Sequence, residues 1–212
     1  LSAGTYSVTV TDLNQCTTSE TVEITEPILL TSSVDTSNYN GFGVHCNGDN
    51  DGYINLSVND GVPTYSYLWS NGSTNQNLST LSAGTYSVTV TDLNQCTTEQ
   101  TVVITEPNSF VDIGGGATTS TYVGGFNISC NGYSDGTITV QAGGGVTPYT
   151  YSEGGIPNSQ STSGFFNNLS QGTYNLSVMD ANQCPINWSN ILLTEPTELT
   201  SGISNSSNYN GF

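Results

Sequence analysis

Residues 47–52, with the sequence NGDNDG, place side-chain oxygens at alternating positions, as the first half of a calcium-binding loop does. The candidate ligands are Asn47, Asp49 and Asp51. The ligand set is incomplete, because Val58 stands at the twelfth position, where such loops carry a Glu. In the similar run at 131–136, Tyr133 replaces one carboxylate. Calcium is the only cofactor suggested, and a turn capped by Asx side chains explains the same residues.

Other groups capable of chemistry do not recur along the chain. His45 is the single histidine, and Ser129 stands at the corresponding place further on. Glu106 and Asp180 could together bind a cation, although two solvated carboxylates are the simpler interpretation. A nucleophile beside a base is not repeated, so we expect no catalytic residues and no enzymatic activity.

The charge composition excludes several classes of partner. The 212 residues include 17 Asp and Glu, one His and no Lys or Arg, which gives a net charge of −17. Binding to nucleic acid or to anionic lipid depends on Lys and Arg, so neither is expected as a partner. No run of 18 apolar residues occurs, so we expect no membrane insertion of this segment.

The chain contains internal repeats. Residues 1–18 recur unchanged at 81–98, and a looser copy begins at Leu169. Each copy is followed by Thr-Glu-Pro, and the other half of the unit begins with Cys-Asn-Gly at Cys46 and Cys130. We expect a part of a longer polypeptide with the end of one repeat, two complete repeats and the start of another. The predicted boundaries are 1–27, 28–107, 108–196 and 197–212.

Each repeat has the pattern of a small β-sandwich. Apolar and polar residues alternate along short segments, as in 54–58 and 86–90, and turn residues separate the segments. About seven such strands without helical periodicity predict an all-β, immunoglobulin-like Greek-key fold. Tyr86 is predicted to be the corner tyrosine of that fold. Trp69 is predicted to fill the core, since Glu153 replaces it in the next repeat.

Cysteines indicate disulfide bonds in a secreted protein. The five are Cys16, Cys46, Cys96, Cys130 and Cys184. The simplest pairing lies within repeats, Cys46 with Cys96 and Cys130 with Cys184, and leaves Cys16 to a partner outside this sequence. An immunoglobulin-like strand order separates Cys46 from Cys96 by more than the ~7 Å that a disulfide allows between Cα atoms. A bond between consecutive repeats, from Cys46 to Cys184, is therefore the second possibility.

The combined motifs resemble the SprB repeat of very large cell-surface adhesins of gliding Bacteroidota. They run from Cys-Asn-Gly through Asp-Gly-Tyr-Ile and Leu-Ser-Ala-Gly-Thr-Tyr-Ser-Val-Thr-Val to Ile-Thr-Glu-Pro. The resemblance implies export by the type IX secretion system, an extracellular filament attached to the outer membrane, and a role in attachment or gliding motility. It carries over no catalytic residue.

The sequence thus predicts tandem sandwich domains that form an extended fibre, the stalk of a secreted adhesin. The expected partners are neighbouring repeats of the same chain, and also surface polysaccharide or other filaments. Two further hypotheses stay open. A carbohydrate-binding module would need an exposed aromatic row in every repeat, and a polymerised filament subunit would need a short precursor.

Overall fold

The computed structural model describes residues 1–154 and 163–202, and their regular structure is entirely β. Within this part no helix is long and apolar enough to cross a membrane. The chain forms two compact units. Unit 1 comprises Leu1–Ser37 and Asn50–Ile104, and unit 2 comprises Asn38–Asp49 and the chain from Thr105 onward. The predicted start of a further repeat at 197–212 lies outside the described residues from position 203 on.

The first element is a hairpin of β1 (Gly4–Thr11) and β2 (Thr17–Ile24). The strands pair antiparallel from Gly4 opposite Ile24 to Thr11 opposite Thr17. Its apolar side chains are exposed, with Val8 at 58% and Val10 at 59%. The same residues in the next repeat, Val88 and Val90, are buried in a sandwich of two sheets, so the burial of this face depends on the second sheet and not on the hairpin sequence.

Six further strands of unit 1 make a complete sandwich. They are β3 (Thr31–Thr36), β4 (Gly52–Asn59), β5 (Ser66–Trp69), β6 (Leu78–Leu81), β7 (Gly84–Thr91) and β8 (Thr97–Ile104). One sheet has the order β3-β4-β6 and the other β5-β7-β8, with all pairs antiparallel. The first, second and fourth of these six strands form one sheet, and the third, fifth and sixth form the other. This is the immunoglobulin-like connectivity without its additional edge strand. The predicted fold class is confirmed, with six strands in place of about seven.

The core of unit 1 comes from alternating positions on facing strands. Gly52, Ile54 and Leu56 point inward from β4, and Val88 and Val90 point inward from β7. Trp69, at the end of β5, is only 2% exposed, and its indole Nε1 donates to the Asn75 carbonyl at 2.8 Å. The prediction that Trp69 fills the core is confirmed.

A corner tyrosine begins the penultimate strand. The Tyr86 hydroxyl donates to the Ser82 carbonyl four residues upstream, at 3.0 Å. The same bond joins Tyr6 to Ser2 at 2.9 Å and Tyr174 to Ser170 at 2.8 Å. The bond ties the incoming loop to the strand, as expected for this fold, so the prediction for Tyr86 is confirmed.

Unit 2 repeats the two opposed sheets with a broken first strand. Its strands are β9 (Val111–Asp112), β10 (Thr118–Thr119), β11 (Gly136–Thr139), β12 (Ala142–Gly143), β13 (Thr150–Glu153), β14 (Phe165–Leu169), β15 (Gly172–Met179) and β16 (Pro185–Leu193). The sheets are β10-β11-β14 and β13-β15-β16, and β9 pairs with β12. Residues 113–117 separate β9 from β10, because the Asp112 carboxylate accepts the N–H groups of Gly114 (2.9 Å) and Gly116 (2.7 Å).

Trp188 supplies the indole of the second core. It lies on β16 rather than on the third strand, where Glu153 stands, and it is buried with 9% exposure. Its Nε1 donates to Asp112 Oδ2 at 2.9 Å. This bond is the largest influence that lowers the pKa of Asp112. The two units therefore fill similar cores with a tryptophan from different strands.

Candidate functional site: the disulfide-linked loop and turn

The turn between β15 and β16 fixes the position of a cysteine. The Asp180 N–H donates to the Cys184 carbonyl (3.2 Å), and the Gln183 N–H donates to the Asp180 carbonyl (3.0 Å), with Gln183 at a φ of 65°. Asp180 Oδ1 accepts the N–H groups of Asn182 and Cys184, both at 2.9 Å. Asp180 Oδ2 accepts the Val146 N–H at 2.8 Å. One carboxylate thus holds the turn and ties it to the neighbouring loop.

The same carboxylate-centred turn occurs between β7 and β8. Asp92 accepts the N–H groups of Val62 (2.9 Å) and Cys96 (2.8 Å). The Val62 N–H is the largest influence and lowers the pKa of Asp92; burial of the carboxyl opposes this effect, and the Cys96 N–H adds to it. Hydrogen bonds to the ionised form lower a carboxyl pKa in this way. In the first hairpin, Asp12 accepts the Cys16 N–H at 2.8 Å.

The lowered pKa of Asp92 predicts a pH dependence of unit 1. Because the folded-state pKa lies below the unfolded value of about 3.9, the stabilisation is present above that pH and is lost as pH falls through the folded-state pKa. We expect Asp92→Asn to lower the urea midpoint of unit 1 at pH 7, with the difference from wild type vanishing in strong acid. Because the variant and wild type are compared at the same pH, the contributions of the other carboxylates cancel. A difference that does not change with pH would contradict the expectation.

The loop that contains Cys46 docks on the residues that follow β8. Three backbone or side-chain donors of the loop find acceptors in the Thr-Glu-Pro motif. They are the N–H of Gly43 to the Thr105 carbonyl (2.8 Å), the N–H of Gly48 to Glu106 Oε2 (2.8 Å) and Asn47 Nδ2 to the Pro107 carbonyl (3.0 Å). Val44, which lies between the donors Gly43 and Asn47 in the loop, is fully buried. The docking explains why residues 38–49 belong to unit 2.

The second Cys-Asn-Gly loop repeats this docking. The N–H groups of Asn127 and Ile128 donate to the Thr194 carbonyl at 2.9 and 3.0 Å. The Gly132 N–H donates to Glu195 Oε2 at 2.8 Å, as Gly48 does to Glu106. The two sequence motifs of each repeat, Cys-Asn-Gly and Thr-Glu-Pro, therefore recur together because each satisfies the other's backbone groups.

A disulfide joins the first loop to the last turn. Cys46 is bonded to Cys184, with their Cα atoms 5.9 Å apart and a sequence separation of 138. Beside the bond, Asn182 is 2% exposed; its Nδ2 donates to the His45 carbonyl at 2.7 Å, and its Oδ1 accepts from Asn40 Nδ2 at 2.5 Å. All these residues belong to unit 2. We call the Cys46–Cys184 bond the inter-repeat disulfide, because its cysteines belong to consecutive sequence repeats.

The predicted pairing within repeats is therefore wrong in this structure. Cys46 is not bonded to Cys96, and Cys184 is not bonded to Cys130; Cys16, Cys96 and Cys130 carry free, exposed thiols. The physical reason is the position of the loop, since residues 38–49 dock on Thr105–Pro107 and against the Asp180 turn. The pairing between consecutive repeats is the second possibility that the sequence left open.

The loop and the strands that follow it carry the family signature. The model of the SprB repeat matches residues 44–74 and 127–152, which are the Cys-Asn-Gly loop and the next strands in both complete repeats. Both complete repeats therefore contain a region that matches the SprB repeat. A SprB repeat indicates the repeat region of a surface adhesin and an extracellular or cell-surface location, and it suggests a structural rather than an enzymatic protein.

One similar solved structure is a C-terminal 282-residue fragment of intimin in complex with the intimin-binding domain of the translocated intimin receptor. The TM-score is 0.47 and the identity 15%, over 79% of this chain and 64% of that chain. The chain thus spans less than two thirds of that fragment. No curated protein matches the chain significantly.

The proposed calcium ligands of the first SprB repeat have protein partners. Asp49 Oδ2 accepts the Cys46 N–H at 3.0 Å, and the Asp49 N–H donates to the Cys46 carbonyl at 3.1 Å. Asn47 Oδ1 accepts the Ser109 hydroxyl at 2.9 Å. His45, Cys46 and Asp49 lie close enough to share a metal ion, but Cys46 offers no thiolate once it is bonded to Cys184. The contacts fit a capped turn, and calcium at Asn47, Asp49 and Asp51 stays a prediction.

The same turn occurs in the second SprB repeat with a different carboxylate. Asp135, which corresponds to Asp51, accepts both the N–H and the hydroxyl of Ser129. The Ser129 hydroxyl is the largest influence that lowers the pKa of Asp135. Glu106 and Asp180, the other carboxylates considered for a cation, likewise accept backbone N–H groups, from Gly48 and Val146.

Proposed function

We propose that this chain is part of the stalk of a secreted adhesin filament that serves surface attachment or gliding motility. The observation that supports this proposal most strongly is the set of structural features that the repeats share. The corner tyrosine, the carboxylate-centred turn and the docked loop recur with the same hydrogen bonds. The side chains suited to bind a ligand do not recur, since His45, Asp49 and Trp69 correspond to Ser129, Tyr133 and Glu153. A scaffold that is repeated without a repeated site fits a spacer.

The surface chemistry supports an extracellular fibre of tandem sandwiches. Exposed strand positions carry mainly Ser, Thr and Asn, which remain soluble without cations. A net charge of −17 keeps neighbouring filaments of the same kind apart at low salt. We include in the proposal export by the type IX system, attachment at the outer membrane, neighbouring repeats as the main partners, and surface polysaccharide or other filaments as further ones.

A competition experiment separates a stalk from a binding module. Cells that display the full adhesin are allowed to attach to a surface in the presence of the soluble, oxidised 212-residue chain. We expect no reduction of attachment at any concentration, because a spacer has no ligand to occupy. A soluble fragment that contains the adhesive part of the same protein is the positive control. Inhibition by the 212-residue chain, or its binding to a glycan array, would contradict the stalk.

A further inference from the structure

Cys96 ends a turn that matches the turn of Cys184 bond for bond. The Asp92 N–H donates to the Cys96 carbonyl (2.9 Å), and the Gln95 N–H donates to the Asp92 carbonyl (3.1 Å), with Gln95 at a φ of 67°. The difference is exposure. Asn94 and Cys96 are exposed, whereas Asn182 and Cys184 are 2% and 5% exposed against their loop. The turn of Cys96 therefore has the geometry of one half of an inter-repeat disulfide, without the other half.

Cys130 lies in a loop that matches the loop of Cys46. The Tyr133 N–H donates to the Cys130 carbonyl at 3.1 Å, as the Asp49 N–H does to the Cys46 carbonyl. Beside the exposed Cys130 thiol is a surface depression of about 360 Å³, lined by residues 129–131 and 196–199. Ser129 corresponds to His45, whose carbonyl binds Asn182. The depression therefore lies where a turn containing Asn and Cys would bind.

Cys96 and Cys130 have free thiols even though each complete repeat contains a second cysteine with which a bond within the repeat could form. Both cysteines of the repeat 108–196 are present, yet Cys184 is bonded to Cys46 and Cys130 is not bonded. Both cysteines of the repeat 28–107 are present as well, and they are not bonded to each other. The one bond formed obeys a simple rule: the loop cysteine of one repeat bonds to the turn cysteine of the next repeat in sequence.

We propose that this rule holds along the whole protein, so that consecutive SprB repeats are linked by a continuous ladder of disulfides. Cys130 bonds to the turn cysteine of the following repeat, and Cys96 and Cys16 each bond to the loop cysteine of the repeat before their own. The proposal goes beyond the stalk function and is independent of it.

The chemistry of each link is a two-electron oxidation. Two thiols lose two protons and two electrons as one S–S bond forms, and the electrons reduce the disulfide of a thiol oxidoreductase to its dithiol by exchange through a mixed disulfide. An exposed thiol favours the attack, because the mixed disulfide needs access. One contact differs between the loops, since Val123 stands where Asn40 donates to Asn182.

The test is a disulfide map of the full-length protein taken from its own cells. Free thiols are blocked, and the protein is cut before Asp, because this stretch offers trypsin no Lys or Arg. Cleavage before Asp12 and Asp92 gives two turn peptides that differ after residue 18 and 98, so they can be told apart. We expect each turn peptide to be linked to a Cys-Asn-Gly peptide of the preceding repeat, with no blocked thiol.

Two results would overturn the ladder. One is a blocked thiol at Cys16, Cys96 or Cys130 in the full-length protein, and the other is a bond between two cysteines of one repeat. A variant of the 212-residue chain gives a second measurement. In Cys184→Ser we expect Cys46 to react with a thiol label, together with the three free cysteines; a Cys46–Cys96 bond in this variant would contradict the rule. Neither result bears on the competition experiment, so the stalk function is judged separately.

Discussion

Pulled from its two ends, the oxidised chain should extend by about 470 Å less than the reduced chain. The Cys46–Cys184 bond bypasses 138 residues, each of which contributes about 3.4 Å to a fully extended chain. Single-molecule force spectroscopy with and without reductant measures the difference directly. The value depends on covalent connectivity alone. The pairing within repeats would give about 350 Å, because each of its two bonds would bypass only about fifty residues.

The same bond should contribute strongly to the stability of unit 2. In the chain-entropy estimate, a disulfide that closes a loop of more than about 100 residues stabilises by about 4–5 kcal/mol. We therefore expect the double variant Cys46→Ser, Cys184→Ser to lower the free energy of unfolding of unit 2 by about 4 kcal/mol. The measurement is urea denaturation followed by Trp188 fluorescence, in a background where Trp69→Phe removes the second indole.

Free cysteines provide the matched control for that variant. Cys96→Ser and Cys16→Ser change exposed, unbonded thiols, so each should alter stability by less than about 0.5 kcal/mol. Reductant should remove the difference between wild type and the double variant. Equal effects of the double variant and the controls, or a double variant as stable as wild type under oxidising conditions, would contradict a stabilising inter-repeat disulfide.

The strands and their inward faces could be predicted because their signals are local. Ile54 and Leu56 alternate with polar residues, as do Val88 and Val90, and a period of two fixes which side is buried. The hydroxyl of the corner tyrosine, Tyr86, donates to the carbonyl of a residue only four positions upstream. The local sequence Gly84-Thr85-Tyr86 was therefore enough to predict its role. The fold class followed from these patterns.

Features that depend on distant contacts could not be predicted. The interruption between β9 and β10 is held by the Asp112 carboxylate, which also accepts the Trp188 indole 76 residues away. Trp188 occupies the core from a strand position where the other repeat has Gln100. Neither fact has a signal in the local pattern, because either strand can supply the large side chain that the core needs.

The cysteine pairing could be predicted from the sequence only in part. Pairing within repeats assumed that the loop containing Cys46 stays with the strands on either side of it. The loop instead docks on Thr105–Pro107 and meets the Asp180 turn. A signal for this was available, since Cys-Asn-Gly and Thr-Glu-Pro recur together in every complete repeat, but the sequence does not say which backbone groups they satisfy.

Replacement of Trp69 by Ala should destabilise unit 1 by about 3–5 kcal/mol, the range for truncation of a buried aromatic side chain. Trp69 is 2% exposed, so the variant leaves a large cavity, and it also leaves the Asn75 carbonyl without the indole donor. Hydrogen exchange of the Val88 and Val90 amides measures the loss in unit 1 by itself. Leu68→Ala is the matched control, because Leu68 is the preceding residue of the same strand and is 61% exposed.

The outcome of Trp69→Ala also separates the spacer from a carbohydrate-binding module. An indole that binds sugar must present its face to solvent, and its loss would abolish binding while stability changed little. Loss of an indole that fills the core would lower stability and leave binding unchanged. If Trp69→Ala destabilised unit 1 no more than Leu68→Ala does, and abolished adhesion to a polysaccharide surface, then Trp69 would be a ligand contact and the sandwich core would have to be assigned differently. Because Trp69 is buried and its indole donates to the Asn75 carbonyl, we expect Trp69→Ala to lower stability without a loss of binding.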